Sequence, residues 1–145
     1  MNLQPARIVV AICFTLAACT PTPRLRCLPG SRQAVLETAY FGTANASGRV
    51  TIEQWREFVN QTVTPHFPQG LTWWRANGQW RNAAGIIEQE TSYILQIVHP
   101  EDSSVGASIV EVAMKYREQF DQKSVLRLSS PTCASFLESG PEPPP

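Results

Sequence analysis

Two extended runs, Leu71 to Arg81 and Ile86 to Val98, constrain this chain more than any other stretch; they are joined by Asn82-Ala83-Ala84-Gly85. Both runs are rich in Trp, Ile, Val, Thr and Tyr, side chains that fit a pleated, half-buried surface. A short connection ending in glycine supplies the residue that takes a left-handed backbone at least cost. The stretch therefore predicts a long antiparallel hairpin with the flanking segments packed on it. In the second run Tyr93, Leu95 and Ile97 share one face, and Ile94, Gln96 and Val98 share the other. Apolar residues on both faces predict a central strand covered on both sides.

Upstream, Ala34 to Gly42 is a short apolar run in which Leu36 to Phe41 predicts the first strand. Thr51 with Gln54 three residues on forms a capping box, and Val50 with Trp55 forms a hydrophobic staple, so a helix starts at Ile52. Ile52, Trp55, Val59 and Val63 recur at steps of three and four, with Phe58 widening the stripe, and this face packs inward. Pro65 and Pro68 predict that the helix ends near Thr64, and Pro68-Gln69-Gly70 turns the chain into the hairpin. Beyond it, His99 to Ser104 supplies a break and helix N-cap candidates. Val105, Ile109, Val112, Ala113, Tyr116 and Phe120 then mark the inward stripe of a second helix, with Met114 beside it. A final strand is expected over Ser124 to Leu128, and a separate extended piece over Thr132 to Phe136.

The order strand, helix, strand, strand, helix, strand predicts an α+β fold. It is the ferredoxin-like βαββαβ arrangement, a four-stranded antiparallel sheet with two helices on one face. The other sheet face, also apolar, needs a cover: a homodimer joined through the open faces, the N-terminal tether, or the last segment. Trp73, Trp74 and Trp80 cannot all face inward, because neighbours on a strand point to opposite sides. With Arg81 they are the expected binding surface.

The first 18 residues read as an address. Arg7 precedes an apolar run, Ile8 to Leu16, that is too short to span a bilayer, as in a secretory signal. Leu16-Ala17-Ala18-Cys19 resembles the bacterial lipobox, in which the cysteine receives lipid and becomes the new N-terminus. Several acyl chains, each burying methylenes worth ~0.8 kcal/mol, make such an anchor effectively permanent. Thr20 follows the cysteine in place of the Asp that retains such proteins in the inner membrane. The expectation is an outer-membrane lipoprotein facing the periplasm. Residues 19–31 would be a lipidated, proline-rich tether, 32–137 a single domain, and 138–145 a disordered tail with no large apolar residue to bury. Of the four cysteines, Cys13 leaves with the signal and Cys19 carries lipid. Cys27 and Cys133 remain, and an oxidising compartment predicts a disulfide between them.

Basic and acidic residues are equal at 12 each, which gives no electrostatic footprint for nucleic acid. No Ser-His-Asp spacing, phosphate-binding glycine loop or CxxC is present, so neither a hydrolase nor a nucleotide enzyme has positive support, and no cofactor is expected. The two histidines, His66 and His99, each stand beside a proline. If they meet, they could act as general acid or base with an arginine, or hold a metal with Glu101 or Asp102; the plainer expectation is two loop histidines and no metal site. Arg81, Arg117 and Arg127 could gather an anion. The simpler expectation is that they pair with Glu88, Glu90 and Glu118 at the surface.

Six motifs stand in sequence: Glu37-Thr38-Ala39-Tyr40-Phe41-Gly42; Trp55; Val63-Thr64-Pro65-His66-Phe67-Pro68-Gln69-Gly70-Leu71-Thr72; Gly78-Gln79-Trp80-Arg81; His99-Pro100; and Tyr116 through Arg127. In this order they resemble a bacterial family known as domain of unknown function 3574, over about Leu36 to Phe136. The departures are the Trp73-Trp74 pair and Asp121, where the resemblance leads one to expect glycine before Gln122. The resemblance implies a small exported protein and assigns no activity. The functional expectation is a membrane-anchored binding module of the cell envelope, with a homodimer or an envelope protein as partner. The alternative is a small dimeric α+β barrel-type enzyme using His66 or His99 with Arg117 or another arginine.

Overall fold

The computed structural model describes residues 25–46, 48–101 and 103–137. The signal segment, Cys19, the first part of the tether, the tail and Asp102 lie outside the described residues. β1 (Arg32–Gly42) leads into a small ribbon of β2 (Ala44–Asn45) and β3 (Gly48–Arg49). One helical stretch follows: α1 (Ile52–Phe58), a π-helical turn (Val59–Val63) and α2 (Thr64–His66). Then come the hairpin strands β4 (Thr72–Arg81) and β5 (Ile87–His99), the helix α3 (Ser103–Gln119) and the strand β6 (Leu126–Ala134).

β4, β5, β1 and β6 form a four-stranded sheet in that spatial order, antiparallel throughout. Counted along the chain these strands stand second, third, first and fourth, which is the split βαβ topology expected from the sequence. β5 is an inner strand. On β1, Glu37, Ala39 and Phe41 pair in register with Ile97, Leu95 and Tyr93 of β5. This set faces the helices, and its apolar members join Trp55, Phe58, Val59 and Val63 of the first helical stretch with Ile109, Val112, Tyr116 and Phe120 around α3 in one core. Trp55 is at the centre: it stacks on Tyr93 at 4.7 Å between ring centroids and meets Tyr116 edge-on. Aromatic pairs of this kind add ~0.5–1.5 kcal/mol beyond the area they bury. The buried Tyr116 hydroxyl donates to the Gly42 carbonyl at 3.0 Å, and burial raises its pKa.

The capping box at Thr51 and Gln54 is formed as the sequence predicts, with both reciprocal bonds made. Pro65 does not end the helix at Thr64. The turn before it widens to π geometry, Thr64 N–H reaching back to the Val59 carbonyl, and the helix continues to His66. Such widening is a known way to fit a residue that breaks the regular hydrogen-bond ladder. The first strand is longer than expected and begins at Arg32, because β1 pairs with β6 from Arg32↔Ala134 to Tyr40↔Leu126. The two C-terminal extended pieces are one strand. Pro131 does not interrupt it, since β6 is an edge strand where a missing N–H can face solvent.

Candidate functional site

Three features outside the apolar core define what the domain can do. The first is a buried polar knot on the helix side of the sheet. Glu37 occupies an inward position between core residues and is only 1% exposed. It is satisfied by Ser129, opposite on β6, whose hydroxyl donates at 2.9 Å, and by Arg127, diagonal to it on the same strand, whose Nε and Nη2 donate to the two carboxylate oxygens at 2.8 and 2.6 Å. The bidentate guanidinium holds the Glu37 carboxyl below its ordinary range against the opposing effect of burial. The pair raises Arg127 in turn. His99 lies beside it, with Nε2 3.8 Å from the Glu37 carboxylate. Its Nδ1 donates to the Pro100 carbonyl, which can only accept, so a neutral ring leaves Nε2 as a buried lone pair without a partner.

The second feature is a cleft of about 300 Å³ between α3 and the chain entering β6. Ala39 and Ile109 form its floor, and Arg117, Lys123 and Arg127 stand along it. A turn at the end of α3 builds it. Gln122 N–H closes on the Arg117 carbonyl at 3.0 Å, the six-to-one bond of a Schellman ending. Asp121 at the turn has φ +50°, the only positive value at a non-glycine among the described residues. This is the position where the sequence departs from the glycine expected there, and the left-handed backbone is what such a glycine serves.

The third feature is the sheet face away from the helices. Three cross-strand rows run over it: Val98, Leu36 and Ser130; Thr72, Gln96, Thr38 and Leu128; and Trp74, Ile94, Tyr40 and Leu126. None of these side chains is charged. The described part of the tether does not cover them. It is held at the end of β6 by the Cys27–Cys133 disulfide and by Gln33 Nε2 donating to the Leu25 carbonyl at 2.6 Å. Gln33 and Cys133 pair in register with the inward-facing set.

The expected site residues fall into separate places. Trp73 packs against the core, its ring 6.0 Å from that of Trp55, while Trp74 lies on the open face. Trp80 and Arg81 are at the hairpin tip, where Arg81 donates to the Gly85 carbonyl at 2.7 Å. Trp80 shares the strand face of Trp74 three side-chain rows further along β4, whereas Trp73 and Arg81 point to the other side, so the four do not form one patch. His66 is tied to the Thr62 carbonyl at 2.7 Å and to Glu111 at 3.5 Å, whereas His99 faces Glu37, so the two histidines have different partners. No cluster of metal-ligating side chains occurs among the described residues. The arginines do not pair as expected with Glu88, Glu90 and Glu118. Arg127 takes Glu37; Glu88 accepts from Asn82 and Glu90 from the Ala44 N–H. Glu37, Ser129 and Lys123 escaped the sequence reading. A signal for Glu37 was present, since it alternates with Val35, Ala39 and Phe41 on an otherwise inward, apolar row.

A split βαβ sheet in this strand order, with helices on one side and the opposite face open, defines a ferredoxin-like α+β domain. The family model of the protein of unknown function DUF3574 matches residues 37–136, and the chain belongs to this family. No curated protein matches the sequence. Among solved structures, a phage SAM lyase in complex with S-methyl-5'-thioadenosine is similar, with a TM-score of 0.51 and 17% identity, covering 79% of this chain and 97% of that one. The same lyase in its apo state gives a TM-score of 0.51 at 15% identity, over 81% and 99% of the two chains. This likeness is one of fold. No helix among the described residues is long and apolar enough to cross a membrane.

Proposed function

We propose that this chain is a lipid-anchored module of the bacterial outer membrane that faces the periplasm and works as an interaction domain, its open sheet face docking on a second copy of itself. The anchor is argued from the lipobox-like Leu16-Ala17-Ala18-Cys19, and a Cys27–Cys133 disulfide suits an oxidising compartment. One observation carries the docking. On the uncharged face Trp74, Leu128, Val98 and Leu126 stand 41, 47, 53 and 57% exposed. A contiguous apolar patch of this kind on a folded domain marks an interaction surface. A second copy is the occupant that fits. Its three central rows carry no charge, a two-fold pairing lets the same patch meet itself, and a charged partner would bury unmatched charge against them.

Four strands ~4.8 Å apart and three side-chain rows ~7 Å apart give a footprint of roughly 400 Å² per copy, well under a standard interface. The pair is therefore weak in solution. Confinement by two lipid anchors raises the effective concentration and makes such a pair sufficient in a membrane. Sedimentation of the lipoprotein in detergent tests this: the wild type should associate with rising concentration, and a Trp74→Ser, Leu126→Ser variant should remain monomeric. A wild type that stays monomeric at all concentrations contradicts the proposal.

The second reading is the small enzyme. The orphan Nε2 of His99 beside Glu37 favours it, as does a lyase of the same fold. Against it, Arg127 is committed to Glu37, and Glu37 and His99 themselves are buried. Consumption of SAM by the purified protein, abolished in His99→Ala, would support the enzyme; inert SAM leaves the interaction module as the better account.

A further inference from the structure

We infer that the cleft between α3 and the chain entering β6 is a binding site for a small organic anion, a carboxylate or phosphate ester carrying an apolar body. Its volume of about 300 Å³ lies at the lower end of natural ligand sites. One side is basic. Arg117 stands in the last turn of α3, and the Schellman turn brings Lys123 to the same cleft. Neither has an ion-pair partner among the described residues.

Arg127 stands further along, its Nε and Nη2 taken by Glu37, leaving Nη1. Glu37 is buried and paired with Arg127, and no carboxylate is among the side chains lining the cleft. Two uncompensated cations therefore set its charge. The other side is apolar, with Ile109, Ala113 and Val125 below and Val110 and Met114, 45 and 61% exposed, at the rim. A guanidinium fork and an ammonium suit an oxyanion, and a hydrocarbon floor beside them suits its body. Bare inorganic anions would use only half of the site. Met114, with three rotatable bonds, can close over bodies of different shape.

Calorimetric titration of the intact lipoprotein in a neutral detergent tests the assignment, with phenyl phosphate, benzoate, benzyl alcohol and inorganic phosphate as probes. At least one of the two aromatic anions should bind, and whichever is tighter names the headgroup. Benzyl alcohol and inorganic phosphate should each be weaker by about tenfold or more. Arg117→Gln with Lys123→Gln, both exposed positions, should weaken the anion by about tenfold while circular dichroism stays unchanged. Trp74→Ser, on the opposite face of the sheet, should leave the affinity as it is. Absence of binding by both aromatic anions at millimolar concentration overturns the inference. So does an affinity untouched by the double substitution, or one lost in Trp74→Ser.

Discussion

Replacing Glu37 with Gln tests whether the buried knot holds the two central strands to β6. The native carboxylate accepts two bonds from Arg127 and one from Ser129, and its side chain is 2% exposed. Removing one member of a fully buried ion pair costs ~3–5 kcal/mol, largely because the other charge is stranded. Two facts reduce that figure here. The Arg127 side chain is 33% exposed and can rehydrate, and Gln keeps one oxygen to accept a bond. A loss of ~2–3 kcal/mol is expected, which for a domain near a hundred residues lowers Tm by roughly 8–15 °C.

The pH dependence gives an independent reading. Glu37 is held below its ordinary value of 4.5 when folded. Its contribution is thus full above that unfolded value and drains away as the pH falls through the lower, folded one. Chemical denaturation of wild type and Glu37→Gln, followed by circular dichroism, should show the full gap at neutral pH and a narrowing gap below about pH 4. A gap under about 0.5 kcal/mol at neutral pH, within the range of ordinary surface substitutions, would refute the reasoning. A gap that widens in acid would do so as well.

The Cys27–Cys133 bridge closes a loop with a sequence separation of 106 residues. Its removal by Cys27→Ser with Cys133→Ser should lower unfolding free energy by ~3–5 kcal/mol, read by denaturant titration; equal midpoints would show that the bridge constrains nothing. Asp121→Gly should stabilise the protein by ~0.5–1 kcal/mol, because glycine takes the φ of +50° without the strain of a Cβ. Asp121→Ala should destabilise, and a thermal melt that reverses this order would show that the Asp side chain, not the backbone, governs the turn.

Element order and topology were legible because the strongest signals are local: a capping box, a staple, and two β-rich arms around a glycine turn. Boundaries were less so. Ser129-Ser130-Pro131 has the composition of a break, yet β6 runs through it, since partners on β1 bond this stretch while the outer edge faces water. Pro65 misled in the same way, the π turn absorbing a defect that only three-dimensional packing reveals. The candidate site was partly visible. Arg117 and Arg127 were singled out, but their neighbours depend on how the sheet aligns positions 90 residues apart, as in Glu37 and Arg127. Trp74 was readable as exposed only because its neighbour Trp73 had to face the other way.

In the proposed pairing, copies of this chain meet through the open side of the sheet while anchored in a membrane. Gln96 lies in the middle row of that side, on an inner strand. A Gln96→Cys variant, with Cys27 and Cys133 kept oxidised, can be treated with a short bismaleimide in membranes of the producing cells. A covalent dimer at Gln96→Cys, absent when cysteine replaces Glu118 on the outward side of α3, is the predicted result. Only monomer at both positions would contradict it.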